Sequence, residues 1–135
     1  MAVIPVARLN HAVLFVRDAT ASAEFYGRVF GFEVVAVESG GQAVFMRAAG
    51  GDNHHDLGLF SVGAQAPRAP RGSVGLYHLA WEVPTIEDLA DADRILSENG
   101  ALGGASGKAN TPLGRVKQPN SEYQGQEQPH PTNHV

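Results

Sequence analysis

Residues 9–35, LNHAVLFVRDATASAEFYGRVFGFEVV, carry the clearest signals of secondary structure in the chain. Its first apolar run ends at Val16, and Asp18 follows as a residue type that favours the N-cap of a helix. Aromatic and aliphatic side chains then recur at helical spacing up to Gly31, which stands where a helix C-cap is expected. A Val-rich run begins at Phe32. We therefore predict a strand, a helix and a second strand in succession.

Turn residues divide the next part of the chain into further strands. Ser39-Gly40-Gly41 predicts a hairpin that joins a strand over residues 32–38 to one over residues 42–48. A Gly-rich loop then leads to a predicted strand over residues 54–62. The first part of the chain therefore reads β-α-β-β-β.

A second segment repeats the start of this pattern. Residues 76–83 align with residues 9–16 as short apolar runs, each with a histidine at its third position, His78 and His11. Thr85 and Asp88 then form a capping-box pattern before an apolar stripe that ends near Gly100. We expect an α+β fold of paired βαβββ modules whose curled mixed sheet surrounds a metal or ligand cavity, with an incomplete second module.

Composition separates this domain from the end of the chain. Hydrophobic residues make up 43% of the 135 residues, yet only 6 of the 33 residues in 103–135 are hydrophobic, and that stretch holds 4 of the 8 prolines. We predict one domain over residues 7–106, with modules at about 7–63 and from 74 to 106 onward, and a polar tail over residues 107–135 that is too polar to build a core.

Charge and cysteine content exclude several function classes. The chain has no Cys, which removes disulfides, thiolate metal sites and Cys nucleophiles. The net charge of −4 argues against a nucleic-acid partner. No apolar run is long enough for a membrane span and no signal-peptide pattern opens the chain, so we expect a cytoplasmic protein with no membrane partner.

Histidines at matching positions of the two modules indicate a metal site. If both modules fold alike, His11 and His78 bring two neutral imidazoles together, as iron, manganese, nickel and zinc sites require. His55 is a candidate acid or base that faces the substrate, and Asp56 is a candidate metal ligand, a residue that orients a ligand histidine, or a hydrogen-bond acceptor for a loop. Regular alternation over residues 54–62 would place His55 on one strand face with Leu57 and Leu59.

The chain resembles the vicinal-oxygen-chelate superfamily, which includes glyoxalase I, bleomycin-resistance proteins and extradiol dioxygenases. The resemblance rests on residues 9–35 together with NHHDLGLF, residues 53–60, and GLYHLAWEVPTIEDLADADRILSENGA, residues 75–101. Together these motifs look most like members akin to catechol 2,3-dioxygenase. The resemblance implies a metal held by the first-strand histidines, which are His11 and His78 here, and by a glutamate on a last strand.

The third ligand is where the sequence departs from that pattern. The D-P-D-G-N-x-x-E type of motif that carries the glutamate in dioxygenase-like members is missing, and its nearest echo, QPNSEY, offers Glu122. In glyoxalase-like members a carboxylate on the fourth strand is a ligand, and Asp56 is the residue nearest to that position. The third ligand would come from Asp56, from Glu122, or from neither.

The resemblance implies a metal-dependent enzyme. We expect extradiol dioxygenase-like or lyase chemistry on a small aromatic or dicarbonyl-type molecule with vicinal oxygens, with Fe(II) favoured over Mn, Ni or Zn, in a homodimer. The competing class is a metal-free drug-binding protein of the bleomycin-resistance type. A third reading is that loss of the final strands leaves no activity.

Overall fold

The computed structural model describes residues 3–70, 72–76 and 79–101. Its elements are β1 (Ala12–Val16), α1 (Ala19–Phe30), β2 (Glu33–Glu38), a 3₁₀ turn (Ser39–Gly41), β3 (Ala43–Arg47), β4 (Leu57–Ser61) and α2 (Ile86–Glu98). The β-α-β-β-β order predicted for the first module is confirmed. In this part of the chain no helix is long and apolar enough to cross a membrane.

The four strands form one mixed sheet in the order β1-β4-β3-β2. β1 and β4 run parallel, whereas the β3–β4 and β2–β3 pairs are antiparallel. The parallel pairing of β1 with β4 is important for the site, because it brings the segment before β1 beside the segment before β4. The sheet is open, so β1 and β2 are its edge strands.

Helix α1 begins and ends where the sequence predicts. Asp18 accepts a hydrogen bond from the backbone N–H of Ala21 at 3.0 Å, and Gly31 adopts a left-handed conformation (φ 68°) in which its N–H bonds the carbonyl of Gly27. A residue with a Cβ is strained in that conformation, which is why glycine is favoured there. These caps fix the length of the helix that covers the sheet.

The core lies between α1 and one face of the sheet. Tyr26 on the helix meets Met46 on β3 and the β4 residues Leu57 and Leu59, and all four are almost fully buried. Phe32 extends this core to Trp81, whose ring lies 5.2 Å away in an edge-on arrangement. The second segment of the chain is therefore anchored to the first module through an aromatic contact.

The second apolar run differs from its prediction. Residues 79–83 follow no strand conformation, and within the described ranges the second segment contributes only α2. The capping box at its start is confirmed: the Thr85 hydroxyl accepts from the Asp88 N–H at 3.1 Å, and the Asp88 carboxylate accepts from the Thr85 N–H at 3.1 Å. A strand needs a ladder partner, whereas a capped helix satisfies its own backbone. His78 and the predicted tail, residues 107–135, lie outside the described residues.

Candidate functional site

The sheet face opposite α1 is the open face, defined by Val13, Phe15, Phe45 and Phe60. Phe15 and Phe60 are register partners on β1 and β4, and the rings of Phe45 and Phe60 lie 5.7 Å apart. Phe15 is 81% exposed, which is unusual for so large an apolar side chain. The open face is thus an aromatic surface that α1 does not cover.

Two imidazoles lie beside this face. His11 immediately precedes β1, and its ring centroid lies 4.4 Å from that of His55, which precedes β4. The His55 ring in turn lies 5.0 Å from the ring of Phe45 on the open face. The parallel pairing of β1 and β4 explains this proximity, since both histidines come from the chain entering those strands.

The face predicted for His55 from strand alternation is wrong. Leu57 and Leu59 are fully buried beneath α1, whereas the His55 ring contacts Phe45 on the opposite side of the sheet. The predicted strand over residues 54–62 begins only at Leu57. Because residues 54–56 are outside the strand, the period of two does not extend to His55.

A third imidazole, that of His54, completes a row. The Nδ1 atoms of His54 and His55 lie 2.9 Å apart, so the N–H of one ring donates a hydrogen bond to the bare nitrogen of the other. Burial lowers the pKa of His55, the charges that His11 and His54 carry when protonated lower it further, and the Asp56 carboxylate opposes them. His55 is therefore held in its neutral form to a lower pH than an ordinary histidine.

Asp56 faces the loop that joins β3 to β4. One carboxylate oxygen accepts from the Ala48 N–H at 2.8 Å and the other from Asn53 Nδ2 at 2.9 Å. Burial by itself raises the pKa of Asp56, but these two hydrogen bonds and the positive charge of Arg8 lower it more, so the net pKa lies below the ordinary value. This is the loop-acceptor role that the sequence offered as one of three alternatives.

Sequence reasoning missed two asparagines that connect these groups. Asn53 donates to the backbone oxygens of Asn10 and His55 and accepts from the Asn10 side chain, and Asn10 Oδ1 lies 2.7 Å from His11 Nδ1. The adjacency of Asn10 and His11 was visible in the sequence. Contact between residues 10 and 53 was not, because it depends on the β1–β4 pairing.

The remaining predicted ligands come from the second module and the tail. His78 and Glu122 lie outside the described residues. Within residues 3–70, 72–76 and 79–101 no three His, Asp or Glu side chains form a group that could hold a metal. The structure therefore brings His11, His55 and Asp56 into one neighbourhood and leaves the complete ligand set a prediction.

A polar cleft of about 280 Å³ lies at the opposite end of β1. Its polar groups already serve the fold: Ser61 Oγ accepts from the Ala19 N–H at 2.8 Å, and Arg17 Nε donates to the Ala66 carbonyl at 3.0 Å. We therefore take the histidine end of the sheet as the candidate functional site.

A sequence profile of the Glyoxalase/Bleomycin resistance protein/Dioxygenase superfamily matches residues 8–125. The chain therefore belongs to this superfamily, the vicinal-oxygen-chelate proteins. An 82-residue stretch is also 34% identical to Catechol-2,3-dioxygenase of Bacillus subtilis (strain 168), covering 60% of this chain and 28% of that relative. The chain therefore spans less than a third of the length of that relative.

Solved structures share the fold. Lactoylglutathione lyase from Agrobacterium tumefaciens superposes with a TM-score of 0.58 at 20% identity, over 87% of this chain and 90% of that chain. A mutant fosfomycin resistance protein from Listeria monocytogenes, solved with Mn(II) and 1S,2S-dihydroxypropylphosphonic acid, gives 0.56 at 14% identity, over 79% and 80%. At these identities the similarity confirms the α+β fold and nothing about substrate.

Proposed function

We propose that this protein is a metal-dependent, extradiol dioxygenase-like enzyme acting on a catechol-type substrate with vicinal oxygens. The single observation that carries the proposal is the 4.4 Å approach of the His11 and His55 rings beside an exposed aromatic face. A metal ligand and a proton-transfer group are needed within reach of the same small molecule, and these two side chains supply that pair.

The donor chemistry fits a divalent metal. His11 is exposed, and among the described residues its Nδ1 is the one ring nitrogen that contacts a protein acceptor, which leaves Nε2 for coordination. Imidazole nitrogen suits Fe(II), Mn, Ni and Zn, and we favour Fe(II) because two histidines with one carboxylate are the ligand set of non-heme iron oxygenases. A bound metal would supply a Lewis acid that orients two neighbouring substrate oxygens. His11 and His78 are the proposed imidazole ligands.

Asp56 is the weaker of the two carboxylate candidates for the third ligand. Both of its oxygens accept hydrogen bonds from the 48–53 loop, so coordination would require one of them to be given up. We therefore propose that Asp56 positions the site, and that a third protein ligand, where one is present, is Glu122.

His55 is the proposed acid–base residue. Its lowered pKa keeps the imidazole neutral near neutral pH, so a ring nitrogen can accept the proton of a catechol hydroxyl and later return it. The open-face rings of Phe45 and Phe60, which stand perpendicular to each other, offer an apolar surface against which the substrate ring can pack.

Anaerobic titration of the full chain with Fe(II), followed by catechol and air, tests the proposal. We expect stoichiometric metal uptake and the absorbance of a ring-fission product. His11→Ala and His78→Ala should abolish uptake, whereas His54→Ala, which alters the neighbouring exposed imidazole, should retain it. His55→Gln should bind metal and lose turnover.

Two results would overturn the assignment. Metal uptake that is unchanged in both His11→Ala and His78→Ala would remove the proposed ligands. A wild-type chain that binds no metal but binds aromatic molecules would support the drug-binding alternative, which the catechol-dioxygenase relative does not favour.

We also propose a homodimer. β1 is an edge strand of the described sheet, and Phe15 and Val13 on it are largely exposed. Exposed edges and apolar patches of this kind are commonly covered by a second copy in symmetric oligomers. Light scattering of the purified chain measures the assembly directly, and a monomer at micromolar concentration would refute it.

A further inference from the structure

We propose that the side chains of Asn53 and Asn10, the amide relay, lock His11 in the tautomer that carries its proton on Nδ1 and its lone pair on Nε2. The relay runs from Asp56 through the two amides to the imidazole. Each step is a hydrogen bond whose direction is dictated by the step before it. All of these hydrogen bonds join protein atoms, so the relay forms without a bound metal.

The direction is set first at Asn53. Its Nδ2 lies close to three oxygens, at 2.7 Å from the Asn10 carbonyl, 2.9 Å from Asp56 Oδ1 and 3.0 Å from the His55 carbonyl. Backbone carbonyls and an ionised carboxylate can only accept. A rotated amide would direct its oxygen at three acceptors, so Asn53 is held with its NH₂ group toward them and its Oδ1 away.

That orientation determines the next amide. Asn53 Oδ1 can only accept, and its partner is Asn10 Nδ2 at 3.1 Å. The NH₂ group of Asn10 is therefore directed at Asn53, which leaves its Oδ1 facing His11 Nδ1 at 2.7 Å. Reversing Asn10 would place two amide oxygens against each other on one side and its NH₂ group against the ring on the other.

The imidazole completes the chain. Because Asn10 Oδ1 has no proton to donate, His11 Nδ1 must carry the shared hydrogen. A neutral imidazole holds one N–H, so the lone pair lies on Nε2. The alternative tautomer would lose this hydrogen bond and set two lone pairs 2.7 Å apart.

The relay gives Asn10 and Asn53 a positioning role in the proposed function, on which this consequence rests. A metal binds the unprotonated nitrogen of a neutral histidine, and a hydrogen-bond acceptor on the other nitrogen fixes both the tautomer and the ring orientation. The relay would thus present Nε2 of His11 to a metal before any metal arrives.

NMR of the imidazole ¹⁵N nuclei in the metal-free full chain shows which nitrogen of His11 carries the proton. Long-range ¹H–¹⁵N correlation at about pH 8, above the ordinary imidazole range, distinguishes protonated from bare ring nitrogens. His11→Gln identifies the His11 signals by their loss. We expect Nδ1 protonated in wild type, and a mixture of tautomers in Asn10→Ala and Asn53→Ala.

Two variants separate tautomer control from general damage. Asn10→Asp loses the hydrogen bond to Asn53 Oδ1, but a carboxylate can only accept, so it should keep Nδ1 of His11 protonated without help from Asn53. Asn99→Ala removes an asparagine at the far end of the chain's second helix, where it bonds Arg28, and should leave the His11 signals unchanged. The backbone amide spectrum of each variant reports whether the fold is retained.

The inference is overturned if wild-type His11 carries its proton on Nε2, or if folded Asn10→Ala keeps the tautomer of wild type. Fe(II) titration of the same samples separates this result from the proposed function. With His11 acting as a ligand, Asn10→Ala should weaken metal binding about 10–100-fold. Wild type that shows the expected tautomer and takes up no metal refutes the metal site and leaves the relay standing.

Discussion

Replacing Asp56 by asparagine removes a negative charge that accepts two hydrogen bonds from the 48–53 loop. The carboxylate accepts from the Ala48 N–H at 2.8 Å and from Asn53 Nδ2 at 2.9 Å. Hydrogen bonds to charged groups contribute about 1.5–3 kcal/mol each, and neutral ones about 0.5–1.5 kcal/mol. An asparagine keeps one acceptor and turns an NH₂ group toward the other donor. Because Asp56 is only partly buried, we expect a net loss of about 2 kcal/mol in the free energy of unfolding at neutral pH.

The loss should depend on pH in a defined direction. Hydrogen bonding holds the folded-state pKa of Asp56 below its ordinary value of about 3.9, so the unfolded chain binds more protons between the two values. The stabilisation is present above the unfolded pKa and is lost as the pH falls through the folded pKa. The difference in the free energy of unfolding between wild type and Asp56→Asn should therefore become smaller below about pH 4.

Urea unfolding of the chelator-treated chain, followed by far-ultraviolet circular dichroism, measures both effects. With a slope of about 2 kcal/mol per molar urea, the midpoint should fall by about 1 M at neutral pH. Asp52→Asn is the matched control, since Asp52 is an exposed carboxylate in the same loop, and it should change stability by less than about 0.5 kcal/mol. Equal midpoints for Asp56→Asn and wild type, or a difference that widens on acidification, would refute the reasoning.

Three further predictions concern the core, the second helix and the open face. Leu59→Ala should lower the free energy of unfolding by about 2–5 kcal/mol in thermal or urea unfolding, because the side chain is fully buried under α1. Val62→Ala, at a half-exposed position, should lower it far less. Similar losses in the two variants would contradict the described core. Thr85→Ala removes the capping box and should lower the stability of α2 by about 1 kcal/mol. Hydrogen exchange should become faster at the α2 amides and stay the same at the sheet amides. Unchanged exchange in α2 would show that the helix does not need this cap. Phe15→Ser should leave the free energy of unfolding within about 0.5 kcal/mol of wild type, since the ring is 81% exposed. The same substitution should weaken self-association, which sedimentation measures. A variant that dimerises as well as wild type would place the interface elsewhere.

Local chemistry made the first module predictable. The helix from Ala19 to Phe30 was bounded correctly because an Asx cap and a left-handed glycine act on their own neighbours. The hairpin at Ser39–Gly41 and the capping box at Thr85 also depend on residues that are close together in the sequence. The strand boundaries were less well predicted, and β4 begins at Leu57 instead of residue 54, because strand ends depend on where a ladder partner stops.

Residue types and their spacing along the chain were enough to predict the superfamily, the β-α-β-β-β order of the first module and the candidacy of His11, His55 and Asp56. Long-range contacts were needed to show which side of the sheet His55 lies on, that its ring meets His11, and that Asn53 connects Asp56 to Asn10. The physical reason is the parallel pairing of β1 with β4, which joins residues 43 positions apart. Such a pairing is set by the burial of Leu57 and Leu59 beneath α1. The free energy of that burial depends on contacts throughout the module, so no short sequence motif indicates it.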